Sequence, residues 1–181
     1  GEDYTSLESI ARTGGIRPDA TWETNRMMAM EVAEIAHHLG ITLITFHAGF
    51  LPEEAADPER AVLLDRLGEI ADVLGTRGVR LGLETGQESA TTLQTALKDL
   101  GHPTVGVNFD PANMILYGKG DPIAAIDVLQ DHIMQVHLKD AVATSEPGTW
   151  GEEVVMGTGG VDWPSFLDCV QSLPQDVDVI I

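Results

Sequence analysis

Apolar positions in this chain recur at two alternating periods. They return every three to four residues over long stretches and every two residues over short ones, so helices and strands are expected to follow one another in turn. Residues 4–11 form a first short helix running into Gly14 and Gly15. Residues 22–39 form a longer one, capped by Thr21 and stopped by Gly40, with Met28, Val32, Ile35 and Leu39 as a buried stripe. Asp57 and Pro58 read as cap and first-turn proline of a third helix, whose Leu63, Leu67, Ile70 and Leu74 form an apolar seam. Ser89 caps a fourth helix with Leu93, Leu97 and Leu100 inward and Gly101 as its stop. Asp121 and Pro122 open a fifth with Ile123, Ile126 and Leu129, and Asp162 caps a sixth with Phe166, Val170 and Leu173 before Pro174. Strands are expected over 42–47, 80–84, 105–110, 133–138 and 177–181. Residues 111–120 and 141–160 read as loops.

Strands separated by helices and short loops indicate βαβ units and a parallel sheet, an α/β class. The two faces of those strands differ. Ile44, Phe46, Leu81, Leu83, Val105, Val107, Phe109, Val136 and Leu138 share one side; Thr45, His47, Gly82, Glu84, Gly106, Asn108, Asp110, Gln135 and His137 share the other. An open sheet covered on both faces wants both sides apolar, whereas a barrel packs helices on its outer face and can hold a polar site within. No glycine-rich dinucleotide fingerprint follows any strand. A barrel is the expectation, in a single domain spanning 1–181.

Charge narrows the partners. With 29 acidic against 10 basic residues the formal net charge is −19, which repels a phosphate backbone, and no basic patch offsets it. Nucleic acid is therefore not an expected partner. No apolar run reaches the roughly 18 residues of a membrane helix, and the lone Cys169 fits a reducing compartment, so a soluble cytoplasmic protein is expected.

Chemistry gathers at the strand ends. His47, Glu84, Asp110 and His137 each close a strand, the position where barrels of this kind place their working groups. Two carboxylates and an imidazole suit Mn²⁺, Mg²⁺ or Co²⁺ better than a structural Zn²⁺. Taken singly, each has an ordinary alternative: a strand-end carboxylate often caps the next helix, and Lys139 with Asp140 would most commonly be a solvated ion pair. Residues 157–160 could make an anion-binding nest, with a plain turn as the simpler reading.

His-Ala-Gly at His47, Leu-Glu-Thr-Gly at Glu84, Asn-Phe-Asp-Pro-Ala-Asn at Asp110, His-Leu-Lys-Asp at His137 and the loop before Trp163 resemble the sugar phosphate isomerase/epimerase family. That family includes D-tagatose 3-epimerase, hydroxypyruvate isomerase and inosose dehydratase. The resemblance implies an α/β fold of the (β/α)8 TIM barrel type, xylose isomerase-like. The four tips would be strands four to seven, so the barrel is expected to be truncated, lacking its first strands and the end of its last one. It implies Glu84, Asp110 and His137 as metal ligands and Glu84 also as catalytic acid/base. By their places on the site face and rim, His47, Asn113 and Lys139 are read as substrate-binding residues, with a seat beside the metal ligands or a buried structural role as the alternatives for His47. Asn113 stands where D-tagatose 3-epimerase-like enzymes tend to have His. The implied activity is isomerisation or epimerisation of a sugar or sugar phosphate by proton abstraction next to a carbonyl, through an enediolate. The alternatives are an inosose dehydratase-like lyase and a non-catalytic carbohydrate- or metal-binding remnant. The partner is a small sugar or polyol, and exposed sheet edges of a partial barrel would favour a homo-oligomer.

Overall fold

A computed structural model describes residues 2–181. Helices α1 (Leu7–Thr13), α2 (Asp19–Leu39), α3 (Pro58–Gly75), α4 (Ala90–Leu100), α5 (Pro111–Leu116), α6 (Pro122–Leu129) and α7 (Trp163–Gln171) alternate with strands. The strands are β1 (Leu43–Phe46), β2 (Arg80–Glu84), β3 (Val105–Phe109), β4 (Ile133–His137), β5 (Asp140–Val142), β6 (Glu152–Val154) and β7 (Asp178–Ile180). One five-stranded sheet runs in the order β1-β2-β3-β4-β7, and β5 with β6 forms a separate antiparallel ribbon. Pairing of β1 with β2, of β3 with β4 and of β4 with β7 is parallel, as helical crossovers require. Among the described residues no helix is long and apolar enough to cross a membrane.

The chain divides into two compact units, 1–83 with 95–106, and 84–94 with 107–181. In the first, α3 presents Leu63, Leu67, Ile70 and Leu74 as its buried seam, and the Asp57 carboxylate accepts from the Glu59 N–H at its start. Arg60, buried on the same helix, reaches Asp99 at 2.8 Å and the Pro52 carbonyl at 3.1 Å. Helix α2 departs from the expected stripe. It begins at Asp19 after Pro18, with no side-chain cap from Thr21, and buries Ala33 and Ala36. Met28, Ile35 and Leu39 are exposed. Small side chains permit the closer approach between packed helices, so the alanine side of α2 is the buried one. Met28 and Val32 border a cavity of about 300 Å³ that Ile44, Phe46, Leu74 and Leu81 also line.

In the second unit three helices start on aspartates that follow the sequence pattern. Asp110, Asp121 and Asp162 each accept a backbone N–H of the first turn ahead of α5, α6 and α7. Ala125, Ile126 and Leu129 of α6 and Phe166 of α7 are buried, and the Phe166 ring lies 6.0 Å from Phe109 and 5.6 Å from Trp163, edge-on to the latter. Ile123, Val170 and Leu173 are only half-buried. Two expected loops contain regular structure. Pro111–Leu116 is a helix because Asp110 caps it and Pro111 sits at its first position; β5, which begins at Asp140 and runs into 141–160, pairs there with β6, held by backbone bonds that no apolar alternation announces.

Candidate metal centre

Glu84 ends β2, Asp110 directly follows β3 and His137 ends β4. One ligand atom from each lies within 4.8 Å of the others. His137 Nδ1 stands 3.4 Å from Asp110 Oδ2 and 3.8 Å from Glu84 Oε1. Asp110 is fully buried, and the Glu84 and His137 side chains are 14% exposed, enough for a small ligand to reach them. Two carboxylates converging with an imidazole in a shielded position fit a divalent cation by donor type, number and separation.

Each of the three side chains is held by its own neighbours. Asp110 uses both oxygens: Oδ1 accepts from the Asn113 N–H at 3.1 Å as helix cap, and Oδ2 faces His137. The capping role expected as the ordinary alternative is thus filled by Oδ1, while Oδ2 stays turned toward His137. Thr85 Oγ1 donates to the Asp110 carbonyl at 3.0 Å and accepts from the Asp110 N–H at 2.8 Å, fixing the turn after β3. Asn113 Nδ2 donates to Glu84 Oε1 at 2.9 Å, so this amide, assigned from sequence to substrate, orients the carboxylate beside it. Gly86 makes that possible. Its φ is +128°, and a Cβ there would lie 2.3 Å from the Asn113 Cβ. His137 Nε2 lies 3.1 Å from Asn108 Nδ2. Sequence reasoning placed Asn108 on the site face and gave it no role.

Lys139 points its ammonium at this cluster. Nζ is 3.7 Å from Asp110 Oδ2 and 3.5 Å from Glu153 Oε2 on β6. Partial burial works against its charge, but the Asp110, Glu153 and Glu84 carboxylates outweigh that and raise its pKa. His47, just after β1, is half-buried in the first compact unit.

Asp140 is a correction. It is not a solvated partner of Lys139 but fully buried, and five donors converge on it. Ala141 N–H (2.9 Å) and Val161 N–H (3.1 Å) donate to Oδ1; Gly157 N–H (2.9 Å), Gly159 N–H (3.0 Å) and Trp163 Nε1–H (2.9 Å) donate to Oδ2. The segment from 157, for which a plain turn is the simpler reading of the sequence, thus forms a nest whose anion is Asp140. A Cβ on Gly159 would sit 2.2 Å from Asp140 Oδ1, which is why glycine stands there. Burial raises the Asp140 pKa, but the bonds from Trp163, Val161, Gly159 and Gly157 prevail and lower it. The resulting stability is present above the ordinary carboxylate range and is lost as pH falls through the lowered value. Asp140→Asn, which turns an amide toward donors, is expected to cost about 2 kcal/mol at neutral pH and to remove that acid-side loss. Urea unfolding of both proteins from pH 3 to pH 7 checks it.

Glu88 was missed altogether. It is 6% exposed, and burial pushes its carboxyl up to about 8 against a weaker pull from Lys119. A polar Gly-Gln-Glu-Ser run carries no signal of burial.

Parallel strands whose ends bring a mixed carboxylate and imidazole set together fit a barrel with a candidate metal site. Residues 4–181 match the xylose isomerase-like TIM barrel family, and the chain belongs to it. A xylose isomerase domain protein from Planctomyces limnophilus is 34% identical with a TM-score of 0.93, covering 100% of this chain and 67% of that one. A D-tagatose 3-epimerase-like protein is 19% identical with a TM-score of 0.75, covering 99% of this chain and 67% of that one. The uncharacterized Escherichia coli protein YihM is 24% identical over 148 residues, 81% of this chain and 44% of its own length. The chain thus spans less than half of that curated relative.

Proposed function

We propose that this chain carries the metal-binding part of a divalent-metal-dependent isomerase or epimerase acting on a small sugar, sugar phosphate or polyol ketone. The observation that supports it is the meeting of Glu84, Asp110 and His137 within 4.8 Å. The likeness to a D-tagatose 3-epimerase-like structure points the same way. A bound divalent cation would polarise the carbonyl and the neighbouring hydroxyl of such a substrate, acidify the C–H between them and stabilise the charge that develops.

The chain's own residues do the rest. Glu84, oriented by Asn113, takes the proton from carbon. Asp110 and His137 hold the cation, and Asp110 ties it to the rigid start of α5. Lys139 offers a persistent positive charge to a substrate oxygen. Its carboxylate neighbours keep it protonated at neutral pH.

Exchange of the carbon-bound proton with solvent requires a single base, so it tests the reading directly. With Mn²⁺ in D₂O, deuterium is expected next to the carbonyl of at least one member of a panel of ketopentoses, ketohexoses and their phosphates. Chelation should stop the exchange and renewed Mn²⁺ restore it. Mn²⁺ bound at the three ligands without exchange in any panel member would overturn the proposal.

A further inference from the structure

We infer that Asn108 is a positioning residue whose amide holds the Nε2 side of the His137 ring in either tautomer, donating to it as the structure stands and turning over to accept from it when a cation binds at Nδ1. The inference rests on the metal reading of Glu84, Asp110 and His137. Asn108 is completely buried on β3, its Nδ2 is 3.1 Å from His137 Nε2, and its Oδ1 has no hydrogen-bond partner among the described residues. An amide donor facing Nε2 requires a lone pair there. The ring proton then sits on Nδ1, where Asp110 Oδ2 accepts it at 3.4 Å and Glu84 Oε1 lies 3.8 Å away.

A cation held between those carboxylates needs the opposite arrangement. Nδ1 must present its lone pair, so the proton moves to Nε2, and an N–H facing the buried amide N–H₂ of Asn108 is a clash of donors. Half a turn about the Cβ–Cγ bond brings Oδ1 to Nε2 and resolves it. Because Oδ1 has no partner to lose, the turn only exchanges one unpaired amide atom for the other. Asn108 therefore supports either tautomer: it donates while the carboxylates hold the Nδ1 proton, and it accepts once a cation replaces that proton. Such a partner on the far nitrogen orients the ring and strengthens it as a ligand.

The test uses ¹⁵N NMR of the His137 ring with Zn²⁺ as a diamagnetic probe, at a pH where the ring is neutral. Wild-type protein is expected to show the Nδ1–H form alone, and Nε2–H with a coordinated Nδ1 after Zn²⁺ is added. Asn108→Leu keeps the shape without an acceptor and should weaken Zn²⁺ binding about 10- to 100-fold with the fold intact by circular dichroism. Asn108→Asp restores an acceptor and should bind at least as well as wild type. Coordination through Nε2, an unchanged tautomer on loading, or a folded Asn108→Leu protein with wild-type affinity overturns the inference alone. Should Asn108→Asp fail to fold, the wild-type spectra and the leucine variant decide. Failure of wild-type protein to bind Zn²⁺ at these ligands overturns the metal reading with it.

Discussion

Glu84→Gln, measured at saturating Mn²⁺, is expected to slow deuterium exchange next to the substrate carbonyl by about 100- to 10,000-fold, the usual worth of a positioned general base. The glutamine carbonyl can still accept from Asn113 Nδ2, which is 2.9 Å from the carboxylate oxygen it replaces, so the local structure should survive. Asp110→Asn separates binding from proton transfer. Its amide oxygen can keep the cap on Asn113 N–H while the charged oxygen facing His137 is lost, so the metal affinity should fall and α5 remain. The pair gives opposite signatures. Glu84→Gln lowers the rate that saturating metal cannot recover; for Asp110→Asn, adding Mn²⁺ should recover most of it. Exchange by Glu84→Gln at the wild-type rate would remove Glu84 from the role of base, whatever its part in holding the ion.

The meeting of Glu84, Asp110 and His137 was legible because strand-end chemistry is written in register. Glu84, Asp110 and His137 each close a strand, and strands that pair in parallel bring their ends together. The caps at Asp57, Asp121 and Asp162 were legible for a similar reason: one side chain and the next few residues decide the helix start. What escaped was set by partners distant in sequence. Asp140 looks like a charged strand end until 157, 159, 161 and 163 fold back onto it. Asn113 carries no sequence signal of its bond to Glu84, which Gly86 permits by leaving room for the Asn113 Cβ. On α2 the leucine, isoleucine and methionine spacing was a sound helix signal and a poor guide to the packed side, because alanines at 33 and 36 allow the closer contact.

Glu88→Gln is expected to make the protein more stable at pH 8 by on the order of 4 kcal/mol, with little change at pH 4. The Glu88 side chain is buried, and the folded chain holds its proton up to about pH 8, whereas an unfolded chain releases it near the ordinary glutamate value of 4.5. Between those values the folded state binds the extra proton, so stability is greatest below 4.5 and falls as pH rises toward 8. The slope is about 1.4 kcal/mol per pH unit at its steepest. Glutamine fills the same space without a titrating proton, which should erase this slope and leave the separate acid-side loss from Asp140 in place. The two groups therefore act in different windows, Asp140 below the usual carboxylate range and Glu88 above it. Urea unfolding of wild-type and Glu88→Gln protein at half-unit steps from pH 4 to pH 9 reads the difference directly. Parallel curves across that range would mean that water or Lys119 solvates the Glu88 carboxylate in the folded state and that burial does not hold its proton.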